Sequence, residues 1–147
     1  VTLDLLLAIA HHLFVFGLFG VVSAELVTVR PGMGAADVRR VAGVDVWYGV
    51  LAGLVVVVGV CRAVFAAKGW AYYSHNLFFW AKILTFILVG LLSIAPTIAF
   101  LRWRKSGAVP DDAQVKGVRR WLIAEFVLFA PLLAFAAAMA RGYGELG

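Results

Sequence analysis

Two histidines, an arginine and a lysine stand inside long apolar stretches of this sequence, where ionisable side chains are costly. His11 and His12 lie in the first stretch, Arg62 near the end of the second, and Lys82 near the start of the third. Charges at membrane depth usually mark a ligand, a cofactor or a pathway. At a rise of ~1.5 Å per residue, both histidines lie roughly 10 Å from their helix end, and Arg62 and Lys82 roughly 9 Å from theirs. Three helices thus bring imidazole, guanidinium and ammonium to one level, and the only carboxylate near it is Asp4, closer to the surface. Such a set calls for an anion. Haem b meets the demand, because its iron takes imidazole and its propionates take Arg or Lys. As a neutral amine, Lys82 is a further candidate iron ligand. Tyr48 shares the Arg62 face, with Val55 and Gly59 between them, and Gly59 offers room beside a flat macrocycle. The cofactor-binding candidates are therefore His11, His12, Arg62, Lys82 and Tyr48. His11, His12 and Lys82 are the candidates for iron, with His11 slightly preferred over its neighbour. A quinone headgroup matches less well, since it brings no formal charge. The competing reading has Arg62 and Lys82 snorkelling to the interface and the histidines as interfacial polar groups. No catalytic residue is assigned.

A second polar layer lies towards the other membrane face. Glu25, Asp45 and Glu125 stand near helix ends, with Arg30, Arg39, Arg40, Arg119 and Arg120 close by in sequence. Salt bridges tying the helix ends together are the expectation. A proton route is the sharper alternative, since Glu25 shares a helical stripe with His11 through Val15, Leu18 and Val22. His75 reads as a surface imidazole. Cys61 is the only cysteine, which excludes an internal disulfide and a thiolate cluster. No GxGxxG, P-loop, HExxH or CxxC motif is present.

The elements that must position these groups are four apolar runs, near residues 3–29, 44–67, 76–101 and 118–140. Each exceeds the ~20 residues a helix needs to cross the hydrocarbon core. In lipid, backbone groups must pair within the segment, so the runs are helices. Short connections predict an all-α, four-helix, up-and-down membrane bundle, forming a single domain over residues 1–147. Composition agrees: 64% of residues are hydrophobic and only 14% charged, against about 25% in soluble domains. The net charge of +5 sits mostly in loops, which fits anionic lipid headgroups better than nucleic acid. The first connection holds Arg30, Arg39 and Arg40, and the third holds Arg102, Arg104, Lys105, Lys116, Arg119 and Arg120. The positive-inside rule puts these in the cytoplasm and both termini outside. Trp47, Trp103 and Trp121 would form one aromatic belt, and Trp70, Tyr72, Tyr73, Trp80 and Tyr143 the other. Gly49 and Gly53, then Gly59 and Ala63, are spaced for close helix packing within the chain, with dimerisation as the alternative. Pro96 is expected to kink the third helix, with Ser93 or Thr97 relieving the freed carbonyls. No cleavable signal peptide is expected: the first run is too long and no basic residue precedes it.

Several stretches carry a resemblance: Ala10-His11-His12-Leu13, Tyr48-Gly49, Gly59-Val-Cys-Arg62, Lys68-Gly69, Tyr72-Tyr73-Ser-His-Asn76, Phe79-Trp80-Ala-Lys82 and Met139-Ala-Arg141-Gly142. Over nearly its full length the chain resembles an uncharacterised family of predicted four-helix bacterial membrane proteins. More distantly, the early histidine, the aromatic-rich loop and the Trp80-Ala-Lys82 step resemble the CopD-like and HemJ-like group. HemJ-type proteins are protoporphyrinogen oxidases, so the resemblance implies a membrane oxidoreductase with haem b held by His11 or His12 and by Lys82. The sequence departs from that group at Ser23-Ala24-Glu25-Leu26, where those enzymes read Tyr-Leu-Pro-Arg-Leu. The ligand set therefore carries over more fully than the reaction. The expected function is a haem-b-binding protein of the bacterial inner membrane with a redox or electron-transfer role. The alternatives are a cofactor-free accessory subunit of a larger membrane complex, or a homo-oligomer, and last a small transporter.

Overall fold

The computed structural model describes residues 2–65 and 68–147. Five helices run in chain order: α1 (Thr2–Thr28), α2 (Ala35–Phe65), the short α3 (Gly69–Ser74), α4 (Leu77–Ser106) and α5 (Asp112–Ala140). The four long ones are each apolar enough to span a membrane. They pack as two hairpins, α1 with α2 and α4 with α5. The hairpins meet through α2 against α4 and α1 against α5. The fold is the expected all-α membrane bundle. Large side chains such as Phe16, Val27 and Leu84 stand more than two-thirds exposed around its perimeter. Water would not tolerate that much exposed apolar surface, whereas lipid solvates it.

Local chemistry sets the helix ends. Asp111 accepts from the Gln114 backbone N–H at 2.8 Å, and the Gln114 side chain accepts from the Asp111 N–H at 3.0 Å. This reciprocal capping box starts α5 six residues before the apolar run does. Gly107, at φ 67°, closes α4 in the left-handed region. α2 begins at Ala35, nine residues before the expected boundary at 44. Its basic first turns are amphipathic: Val38, Val41 and Ala42 turn inward against Met33, Phe100 and Trp103. α3 occupies what reads as loop in the sequence. α4 runs through Pro96 as one helix, and Ser93 donates to the Gly90 carbonyl at 2.6 Å rather than to the carbonyl that proline frees.

Two packing expectations need correction. Trp103 and Tyr73 are core residues, 5% and 6% exposed, and belong to no interfacial belt; Trp47, Trp70, Trp80, Trp121 and Tyr143 do stay exposed. Gly49 and Gly53 are exposed, and a side chain at either would meet nothing within 4 Å, so they seat no helix of this chain. Gly59 is different, as described below.

The segment after α5 folds back on the start of α4. The Leu77 N–H donates to the Gly144 carbonyl at 2.7 Å, and the Leu146 N–H to the His75 carbonyl at 2.7 Å. Gly144, at φ 80°, passes so close to Phe78 that a Cβ there would lie 2.5 Å from the ring. Asn76, fully buried, is the centre of this clasp.

Candidate functional site

α1 and α2 run antiparallel, and their register brings His11 opposite Gly59. A Cβ at Gly59 would stand 3.3 Å from Cε1 of the His11 imidazole. Gly59 therefore seats the histidine itself and not a macrocycle. His11 and His12 are both in place on α1, with ring centroids 6.3 Å apart and planes nearly perpendicular. Their hydrogen bonding differs. Nδ1 of His12 lies 2.6 Å from the Ala8 carbonyl, which fixes that nitrogen as the donor and leaves Nε2 as the free lone pair. Nδ1 of His11 is buried with no partner. Ligating histidines commonly hold their second nitrogen in a hydrogen bond. His12 thus has its second nitrogen held and His11 does not.

Lys82 reaches the same place from α4, its Nζ 5.5 Å from the centre of the Phe79 ring. His11, His12, Gly59 and Lys82 all line one cavity of about 460 Å³. Its other walls are apolar and aromatic, among them Phe16, Val55, Trp70, Phe79, Trp80 and Phe86, and every helix contributes. Ligand cavities commonly span about 300–1,000 Å³, with a few polar groups on apolar walls. Phe16, Trp70, Trp80 and His12 are exposed, so the opening faces the lipid. Arg62 does not line the cavity, though its charge acts on both His11 and Lys82. Its Nε is buried without a partner. Among the described residues, no three His, Cys, Asp or Glu side chains are placed to hold a metal ion.

Gly59→Val tests this seat. The larger side chain would push the His11 ring from its present position while His12 and Lys82 keep theirs. The NMR signal of the His11 Cε1–H, assigned by its loss in His11→Gln, should move in the Gly59→Val variant while that of His12 stays; an unmoved His11 signal would refute the contact.

Tyr48 lies elsewhere. It is buried in the apolar layer with Leu18, Val22, Val89, Phe129 and Leu132. Its hydroxyl faces Ser93 and Glu125, not the histidines. The salt bridges expected for Glu25, Asp45 and Glu125 are absent among the described residues. The ion pairs there are Arg30–Asp37 at 3.6 Å and Arg40–Asp37 at 3.7 Å, both at the surface. Arg119 instead donates to the backbone carbonyls of Leu26, at 2.6 Å, and Val29. Helix C-termini leave carbonyls without partners, and that need takes the arginine away from the carboxyls. The three acids face one another in the bundle interior. Asn76 enters the sequence analysis only through the family resemblance and the start of a run; its place as the N-cap of α4 follows from an Asn just ahead of an apolar run, a helix-start signal.

With four apolar spans and this arrangement established, comparison with known proteins becomes informative. The family model described as Predicted membrane protein (DUF2214) matches residues 3–144. The chain belongs to that family. Membership makes it a multi-pass membrane protein among predicted membrane proteins, and extends over nearly the whole length. No curated protein and no solved structure matches the chain.

Proposed function

We propose that this member of the family binds haem b in the lipid-facing cavity and serves a redox or electron-transfer step. The observation that carries the reading is the convergence of His11, His12 and Lys82, from two helices, on one apolar cavity with aromatic walls. His12 would offer Nε2 to the iron, Lys82 would offer an amine, and Arg62, outside the lining, would add positive charge towards a propionate. When bound, haem supplies one-electron chemistry. The chain's own residues orient it and exclude water. The distant likeness to HemJ-type oxidases points the same way for the ligands. The test is a visible spectrum of the purified protein with pyridine haemochrome analysis. A Soret band with stoichiometric haem b supports the reading; colourless protein from haem-replete cells removes it.

A cofactor-free subunit of a larger assembly is the second reading, favoured by the open Gly49 and Gly53 face on α2. Small residues there would let another helix approach closely.

The basic loops argue for a bacterial inner membrane with those loops in the cytoplasm and both termini on the periplasmic side. Ser106→Cys, in a background lacking Cys61, should resist an impermeant reagent added to intact spheroplasts and react after lysis. Labelling before lysis would reverse the orientation.

A further inference from the structure

We propose that Glu25, Asp45 and Glu125 form an occluded proton-binding site in the bundle interior, distinct from the histidine cavity. α1, α2 and α5 each bring one carboxyl, and Glu25 and Glu125 are each only 1% exposed. The deciding group is Glu125. Both of its carboxyl oxygens are buried with no hydrogen-bond partner, and so is Oε1 of Glu25.

The groups facing the acids come from every packed helix. α1 brings Glu25 and α2 brings Asp45 and the Tyr48 hydroxyl; α4 brings Thr97 beside Asp45 and Ser93 beside Tyr48. None of these is a cation. Among the described residues, no basic nitrogen lies within 4.0 Å of the three carboxyls; the two ion pairs both use Asp37. Arg119, the nearest cation along α5, is engaged with the carbonyls of Leu26 and Val29. Like charges sharing one buried site cannot all ionise. No ligand set for a metal ion is present among the described residues, so the neutralising species is the proton. Loading is a transfer from water to a carboxylate oxygen, which forms an O–H bond and moves no electron.

Apolar layers close the site on both sides. Leu18, Val22 and Phe129 separate it from the histidine cavity, and Phe100, Leu122 and Val29 separate it from the basic loops. Glu25 is fourteen residues from His11, about 21 Å along α1. The site therefore stands whether or not haem is bound.

Infrared spectroscopy of the full chain in lipid nanodiscs tests the proposal. A protonated-carboxyl C=O band should be present at neutral pH, shift in D2O, and disappear as pH is raised with the protein still folded. Glu125→Gln, Glu25→Gln and Asp45→Asn should each weaken or shift it, and the exposed Asp112→Asn should do neither. Three variants carry the same readout, so failure of one to fold leaves the others decisive. Absence of the band at neutral pH overturns the site. So does a band that all three variants leave intact, or one that persists unchanged at alkaline pH. A band lost on replacing choline by Na+ at constant pH would assign the site to a monovalent cation and overturn the proton.

Discussion

Protein carrying His11→Ala and His12→Ala together should purify without haem, with its helical content and melting behaviour close to those of the parent. Both rings sit at the edge of a lipid-facing cavity, and neither belongs to the buried core. Their loss therefore removes iron ligation and little packing. The single variants separate them. His12 has its Nδ1 tied to Ala8 and its Nε2 free, so His12→Ala should take most of the haem. His11→Ala should take less, because the unpartnered His11 Nδ1 lacks the second bond that orients a ligand. Arg62→Ala should keep the spectrum of the iron and weaken affinity. Arg62 stands outside the cavity lining, so its charge acts without a direct bond and the loss should stay below the roughly 10-fold that a charge-assisted hydrogen bond contributes. Lys82→Met should shift the Soret position while leaving some haem bound. Full haem content in the double histidine variant would end the proposal.

The largest loss of stability is expected from Asn76→Ala. This side chain is fully buried and uses both ends. Its Oδ1 accepts from the N–H groups of Phe78 and Phe79, at 2.9 and 3.3 Å. Its Nδ2 donates to the Tyr143 carbonyl at 3.0 Å. Removing an N-cap costs about 0.5–2 kcal/mol, and losing the bond to the part-buried Tyr143 carbonyl costs about 0.5–1.5 kcal/mol more. A total of about 1–3.5 kcal/mol is expected. Asn76→Asp divides the two contributions, because it keeps the acceptor for the helix start and loses the donor to Tyr143. Thermal unfolding in detergent should rank the parent above Asn76→Asp and Asp above Ala. Proteolysis after Arg141 should accelerate in both. An unchanged melting point for Asn76→Ala would show that the clasp does not hold the end of the bundle.

The four spans are legible in the sequence because bilayer thickness translates directly into run length. Depth is legible as well: His11, His12 and Lys82 share a level by counting residues, and the structure puts them on one cavity. Partners are harder to read. Tyr48 and Arg62 lie near one face of α2, but fourteen residues separate them, about 21 Å of helix. A shared stripe is not a shared site, and Tyr48 falls among the carboxyls. The salt bridges expected for Glu25, Asp45 and Glu125 rested on neighbours in sequence. Which way Arg119 turns depends on where α1 ends beside α5, a relation between residues about ninety apart. The early start of α2 is missed because polarity masks it, although Val38, Val41, Ala42 and Asp45 carry a helical spacing that continues the buried face. A purely local signal, the Asn76 cap, is recoverable from sequence; its second bond, to Tyr143, is not.

The reach of Arg119 to the end of α1 bears on how the chain is made. Its carbonyl partners, Leu26 and Val29, precede it by 93 and 90 residues. At about 5–20 residues per second, a ribosome needs roughly 5–19 s to cover that stretch. During that interval α1 is in the bilayer with its last carbonyls open to headgroup water, and the α1–α2 hairpin must persist as a unit without the second. The first hairpin can thus insert before the arginine contact that ties α5 to the end of α1 is made. An arrest sequence placed just before position 119 should accordingly yield a nascent chain whose first hairpin is already membrane-integrated and resists alkaline extraction.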